Sequence, residues 1–270
     1  MEFTCKPTSV DKTFMGTRAW GRRKRPLTHG RLTGLEKAVL LGNLGRMAVL
    51  ELGDTLSSHL GTLEPRDASL EALQPPRTRL VEDALSFAMQ VQSPEVLSHS
   101  WRTYYWGVLL GEYRKLDVDR EILFAGSILH DVGIATGREK EPCSCCFVVY
   151  GAERAAHQLV SKGHDPARVR QIGDAIGLHL NGYVSNRLHG AEAHLLCRGA
   201  MCDVFGFGKR RIGPAIKAGV STDHPRGNLR DALEIWPDHH LEGTRAEFLI
   251  SLKTARRRRK PREVRPAHVR

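Results

Sequence analysis

The sequence predicts an all-α protein built from many short helices. Apolar residues recur at helical spacing through almost every segment. CFVVY (146–150) is the only β-like run, and it is short. No internal repeat is visible, so a helical bundle is expected rather than a solenoid.

Taken in order, residues 1–32 form a basic N-terminal arm. Residues 33–61 read as one long helix with a Thr start signal and an SSHLG exit, the core of a helical extension spanning 33–74. TLEPRDASLEALQPPRTR (62–79) is polar and Pro-containing, a joint between this extension and a main domain at 75–210. Helices are predicted over 78–92, 95–114, 119–131, 151–163, 167–180 and 190–206. Residues 211–252 supply C-terminal helices packing on that domain, within a helical stretch 228–256 broken at Pro237. A basic tail, 253–270, follows.

The 270 residues, 41% of them hydrophobic, are enough to bury a sizeable core. No run of 18 apolar residues predicts a membrane helix, and MEFTCKPTSVDKTF lacks the layout of a secretory signal. Six Cys in a chain of this length do not make a disulfide scaffold, so a reducing cytoplasmic location is expected. The net charge of +11 is uneven: residues 1–32 carry +6 and residues 253–270 carry +8, which leaves −3 for 33–252. The basic runs GRRKR (21–25) and ARRRRKPR (255–262) are therefore read as solvated arms. Neither is interleaved with base-stacking aromatics; contact with nucleic acid or an acidic partner, or tethering in a homo-oligomer, is the lesser reading.

Thirteen His are present, and most sit in tails or near helix ends: His29, His59, His164, His189 and His268 are assigned exposed or capping roles. Four stretches plant ligand-type residues in apolar helical surroundings: LSHSWRTYYWGVLL (97–110), AGSILHDVG (125–133), QIGDAIGLHL (171–180) and LLCRGAMCDVFGFG (195–208). A charge that cannot be hydrated must be paired or bound to a metal. His99, His130, Asp131 and Asp203 together offer two imidazoles and two carboxylates from three helices, a set suited to Zn, Fe or Mn with positions left for water and substrate. Cys143, Cys145 and Cys146 have no second Cys pair at finger-like spacing and are read as a loop after the His130–Asp131 helix, whereas Cys197 and Cys202 read as small buried hydrophobes.

The order His99, then His130-Asp131, then Asp203 resembles the HD-domain metal-dependent hydrolases, an all-α superfamily. HSWRTYYWG (99–107), SILHDVG (127–133), FVVYGAERAA (147–156), AIGLHL (175–180) and GAMCDVFG (199–206) are similar to its cyanamide hydratase-like branch, over about residues 75–210. The resemblance implies an HD-domain helical bundle whose four H, HD and D positions hold one divalent ion, Zn2+ first and Fe2+ or Mn2+ as alternatives. His179 matches a further family histidine that binds substrate, serves as acid/base or completes a second metal site. Arg102 and Thr103, one turn from His99, are candidate pocket residues. Ile134 stands where many HD phosphodiesterases carry Lys after HDxG, and neither a GYP signature nor the acidic pair of the (p)ppGpp-hydrolysing branch is found.

The expected activity is a hydrolase or hydratase acting on a small molecule, with a cyanamide- or nitrile-like group as the candidate substrate. Asp131 would help accept the proton of the attacking water, and His179 would orient substrate or return a proton. Two alternatives stand beside it: a phosphohydrolase of nucleotides or phosphomonoesters using the same ligands, and a non-catalytic binding protein on the HD scaffold.

Overall fold

The computed structural model describes residues 14–28, 30–134, 146–229, 242–249 and 251. Nine α-helices are defined among these: α1 (Arg18–Thr28), α2 (Gly34–His59), α3 (Arg79–Val91), α4 (Pro94–Tyr113), α5 (Arg120–Leu129), α6 (Phe147–Ser161), α7 (Pro166–Leu178), α8 (Asn186–Phe205) and α9 (Pro214–Asp223). No strand occurs among the described residues, only an isolated bridge between Arg66 and Ile212. The all-α expectation holds.

Local chemistry sets most of the helix starts. Thr33 and Glu36 form a reciprocal capping box on α2; Thr78, Ser93, Asp119 and Asp165 accept backbone N–H groups at the starts of α3, α4, α5 and α7. Pro94, Pro166 and Pro214 occupy first-turn positions, where a missing N–H costs nothing. Gly206, at φ 82°, ends α8 in the left-handed conformation that glycine adopts without strain. Inside α8, Gly190 is non-helical (φ 85°, ψ 164°), which bends the helix just where the sequence pattern places its start.

The core is organised around α4, whose segment from Arg102 to Gly111 is buried throughout. It packs along α8, while α5 lies against α3, α4, α7 and α8, and α6 pairs with α7. The α4–α8 approach is close because Gly199 has no side chain: a Cβ there would lie 2.1 Å from the Thr103 carbonyl oxygen. Tyr104, Trp106, Leu109, Phe124, Ile128 and Leu195 fill the space around that crossing.

The structure places three segments that the sequence leaves open. CFVVY is not a strand; Cys146 precedes α6, and Phe147, Val148 and Val149 are buried in its first turn. A β-rich local propensity yields here to burial against two helices and the turn before them. The run GRRKR does not belong to a free arm, because residues 18–28 form α1, docked on α6 and α7. Trp20 is buried and its Nε1 donates to Glu36 at 2.8 Å, while Arg18 and Arg22 both pair with Glu153, at 2.8 and 2.9 Å. The joint at 62–79 is fastened rather than loose: Arg66 exchanges backbone hydrogen bonds with Arg211 and Gly213, and Leu73 is fully buried. Most of the stretch 228–256, the loop Cys residues 143 and 145, and the tail 253–270 lie outside the described residues.

Two measurements follow from the packing. Gly199→Ala is expected to destabilise by about 2 kcal/mol or more, since backbone must shift. Gly219→Ala on α9, where a Cβ meets nothing within 4 Å, should be neutral or stabilising by ~0.5–1 kcal/mol. Urea unfolding of the two variants separates them. His194 gives a pH signature: its Nδ1–H donates to the Val184 carbonyl at 2.6 Å, and burial pushes the imidazole down to about 4. The unfolded chain then takes up this proton first, so stability is full above the ordinary His value and falls as pH drops towards 4. Between pH 7.5 and 5 the loss from this residue should be about 2 kcal/mol, and His194→Gln should show a correspondingly flatter pH dependence of unfolding.

Candidate metal centre

Four of the predicted residues meet at one buried point. His99 comes from the middle of α4, His130 caps the C-terminus of α5, Asp131 begins the turn after it, and His179 caps α7. All four are between 0% and 4% exposed. The turn is held tight by two glycines: a Cβ on Gly133 would lie 2.0 Å from the Phe147 carbonyl oxygen, and one on Gly151 would lie 2.9 Å from the Gly133 nitrogen. HDVG and the YGAE segment of α6 are thus two halves of one backbone contact beneath the site.

The histidine tautomers follow from their partners. His130 Nδ1 lies 2.7 Å from the Ser127 carbonyl and His179 Nδ1 lies 2.7 Å from the Ile176 carbonyl. A carbonyl only accepts, so both Nδ1 atoms carry the proton. His99 Nδ1–H donates likewise to Asp203 Oδ2 at 2.8 Å. The Nε2 atoms are thus the ones left to face the cluster, and all three converge on Asp131. Its Oδ2 is 3.2 Å from His130 Nε2 and 3.7 Å from His99 Nε2, and its Oδ1 is 3.9 Å from His179 Nε2.

His99 Nε2 and His130 Nε2 stand only 3.2 Å apart. Two bare lone pairs at that distance repel; a proton shared as N–H···N, or a cation bound between the rings, relieves the repulsion. Ligand atoms of His99, His130 and Asp131 all fall within 4.8 Å of one another. Imidazole nitrogens, each ring held from behind by a hydrogen bond at Nδ1, plus a carboxylate form a donor set that fits a divalent Zn, Fe or Mn ion.

Burial works against the Asp131 carboxylate, yet His130, His99 and His179 hold it well below the usual carboxylate range. Burial likewise opposes a charge on His130, but the adjacent Asp131 outweighs it and raises that imidazole. His179 is pushed down to about 3, first by burial and then by the neighbouring His130, so its Nε2 is a free base at neutral pH.

Asp203 is placed differently from the expectation. It accepts four hydrogen bonds: Arg102 Nε (2.8 Å) and Trp106 Nε1 (3.1 Å) on Oδ1, Arg102 Nη2 (2.8 Å) and His99 Nδ1 (2.8 Å) on Oδ2. These occupy the lone-pair sites of a carboxylate, so in this geometry Asp203 stands behind His99 instead of completing the ligand set. Burial opposes its charge, but the bonds from His99 and Arg102 keep it ionised, far below the usual range. Arg102 is correspondingly not a pocket residue. It is buried, forked onto Asp203, and donates through Nη1 to the carbonyls of His224 (3.1 Å) and Pro225 (2.9 Å). Thr103 is buried at the α4–α8 crossing. Cys197 and Cys202 are buried as expected, their thiols pushed up to about 12.

Trp106 is the contributor not singled out in the sequence, although it lies within HSWRTYYWG, two turns along α4 from His99. The Ser127 and Ile176 carbonyls carry no side-chain signal and emerge only with the fold.

Removing Arg102 leaves the Asp203 carboxylate buried without its principal counter-charge. Arg102→Met should destabilise by about 3–5 kcal/mol. Asp203→Asn, which loosens the hold on His99, should lower divalent-metal affinity roughly 10–100-fold. Denaturant unfolding and metal titration read these two effects separately; unchanged affinity in Asp203→Asn would contradict the positioning role.

No curated protein matches the chain. Residues 96–201 match the family model described as HD domain. The matched stretch contains His99, His130, Asp131 and His179, and it stops two residues before Asp203. This segment of the chain, which carries the buried His–His–Asp cluster, is similar to HD domains.

Proposed function

We propose that the protein is a metal-dependent hydrolase or hydratase acting on a small molecule. The observation that carries the reading is the convergence of the His99, His130 and His179 Nε2 atoms on Asp131, with every Nδ1 proton committed to an acceptor behind its ring. His99, His130 and Asp131 would hold the ion. A divalent ion in such a set acts as a Lewis acid and makes water a competent nucleophile near neutral pH.

The chain's own residues supply the rest. Asp131 contributes a permanent negative charge in a water-poor site. His179 Nε2, facing Asp131 Oδ1, takes a proton as the nucleophile is generated and returns it to the developing nitrogen or leaving group. Asp203, clamped by Arg102 and Trp106, fixes the ring plane of His99.

Within this class we favour a cyanamide- or nitrile-like substrate. Ile134 follows HDVG where a phosphodiesterase lysine would stand, and it packs among apolar residues near α1. Arg102, the guanidinium beside the cluster, is consumed by Asp203 and two carbonyls and so is not offered to a phosphate. A substrate panel tests the proposal. Expected are hydration of cyanamide or a related nitrile, loss of turnover after chelation, and recovery with added Zn2+, Mn2+ or Fe2+. His179→Gln should lower kcat by roughly 100-fold or more while keeping bound metal. Release of inorganic phosphate from nucleotides with no hydration activity would overturn the substrate assignment; turnover insensitive to chelation would overturn the class.

A further inference from the structure

The helix α2 is apolar on its outer side as well as its inner one, unlike an ordinary surface helix. Leu40 and Met47 are buried, and beside them most of its polar residues are used against the body of the protein. Glu36 accepts from Trp20 and Lys24, Asn43 donates to the Asn181 carbonyl at 3.0 Å, and the Arg46 guanidinium lies 4.0 Å over the Tyr183 ring. Glu51 accepts the Gly208 N–H at 2.7 Å and pairs with Arg210, and Asp54 accepts from Arg211 at 2.6 Å. The opposite side carries Leu35, Val39, Val49, Leu52 and Leu56, between 48% and 77% exposed. Between them run Gly42, Gly45 and Gly53, and a Cβ on any of the three would meet nothing within 4 Å.

We propose that this face docks against α2 of a second copy of the chain, antiparallel, around a twofold axis passing between Gly45 and Arg46. The spacing is self-complementary in that register. Leu35 meets Leu56 of the second copy, Val39 meets its Leu52, Ala38 its Gly53, and Gly42 its Val49. Each pairing recurs with the roles exchanged, as a twofold interface requires. Leu35–Leu56 and Val39–Leu52 pair large residues, Ala38–Gly53 pairs small ones, and Gly42–Val49 nearer the axis pairs small with large. The glycines let the two axes approach closely where the helices cross. Arg46, next to the axis, is drawn aside onto Tyr183 and does not oppose its own copy.

Charge and area point the same way. With its acids turned inward, the exposed side of α2 keeps only Lys37 and Arg46 as charged residues, so a charged partner would find little to pair with. Interfacial membrane helices carry Lys/Arg-rich flanks and aromatic residues; α2 has no aromatic residue and two exposed cations. The run ARRRRKPR (255–262) of this chain offers no apolar surface to match it. Five large apolar side chains, each about half to three-quarters exposed on one helix face, form a contiguous patch of the kind that marks an interaction site.

Sedimentation velocity of the full chain at tens of micromolar tests the proposal. The wild type should run as a dimer, and Val49→Glu and Leu52→Glu should each run as monomers with unchanged circular dichroism. Cysteine cross-linking, measured above the wild-type background, gives a second readout. The double variant Leu35→Cys/Leu56→Cys should form an inter-chain disulfide. Leu35→Cys alone should not, because the two copies of that position would lie about 31 Å apart. A monomeric wild type at every concentration, a Leu35→Cys disulfide, or a monomer that floats with anionic phospholipid vesicles would overturn the proposal.

Discussion

Three buried imidazoles with their Nδ1 protons tied outward are the constraint on which the centre of this structure depends. Once Ser127, Ile176 and Asp203 have each taken an Nδ1–H, the three Nε2 lone pairs have nowhere to point but inward. Asp131 adds a negative charge to this electron-rich pocket, so a proton or a cation must sit among these groups. The surrounding fold serves this arrangement. Gly133 and Gly151 allow the HD turn to press against α6, and Gly199 lets α8 come close enough to α4 for Asp203 to reach His99. The wall behind His99 extends through Arg102 to the carbonyls at the end of α9, so the segment after that helix is linked to the metal site by two hydrogen bonds.

Much of this was legible in the sequence because helical spacing and residue chemistry are local properties. His99, His130, Asp131 and His179 each stood out as a ligand-type residue in an apolar helix, and the structure brings all four together. Asp203 was legible as a buried partner of that group but not in its placement. Which nitrogen of His99 faces which carboxylate depends on the α4–α8 crossing, and nothing in the spacing along the chain records it. Arg102 and Thr103 were misplaced for a related reason: one turn from His99 on a helix also describes residues facing the neighbouring helix. The basic run at 21–25 was misread because its acidic partner, Glu153, lies about 130 residues away. The β-like run CFVVY leads into α6 because tertiary burial overrides its local preference.

The two faces of α2 show how far composition can mislead. The helix looks unremarkable as a periodic segment, yet its acids are spent inside the protein while Leu35, Leu52 and Leu56 remain outside. That arrangement is visible only once the position of each residue relative to α1, α8 and the turn at 206–213 is known. The metal site and the α2 face lie on separate elements, so activity at the first does not presuppose association through the second.

The claim at the centre of this account is that His99, His130 and Asp131 hold a divalent ion. Elemental analysis of protein purified without chelators addresses it most directly, alongside His130→Ala and Asp131→Ala prepared in the same way. About one equivalent of a first-row divalent metal in the wild type, lost in both variants while their helical content persists, is the predicted result. Equal metal content in all three proteins, or none in any of them after exposure to Zn2+, Mn2+ and Fe2+, would contradict it.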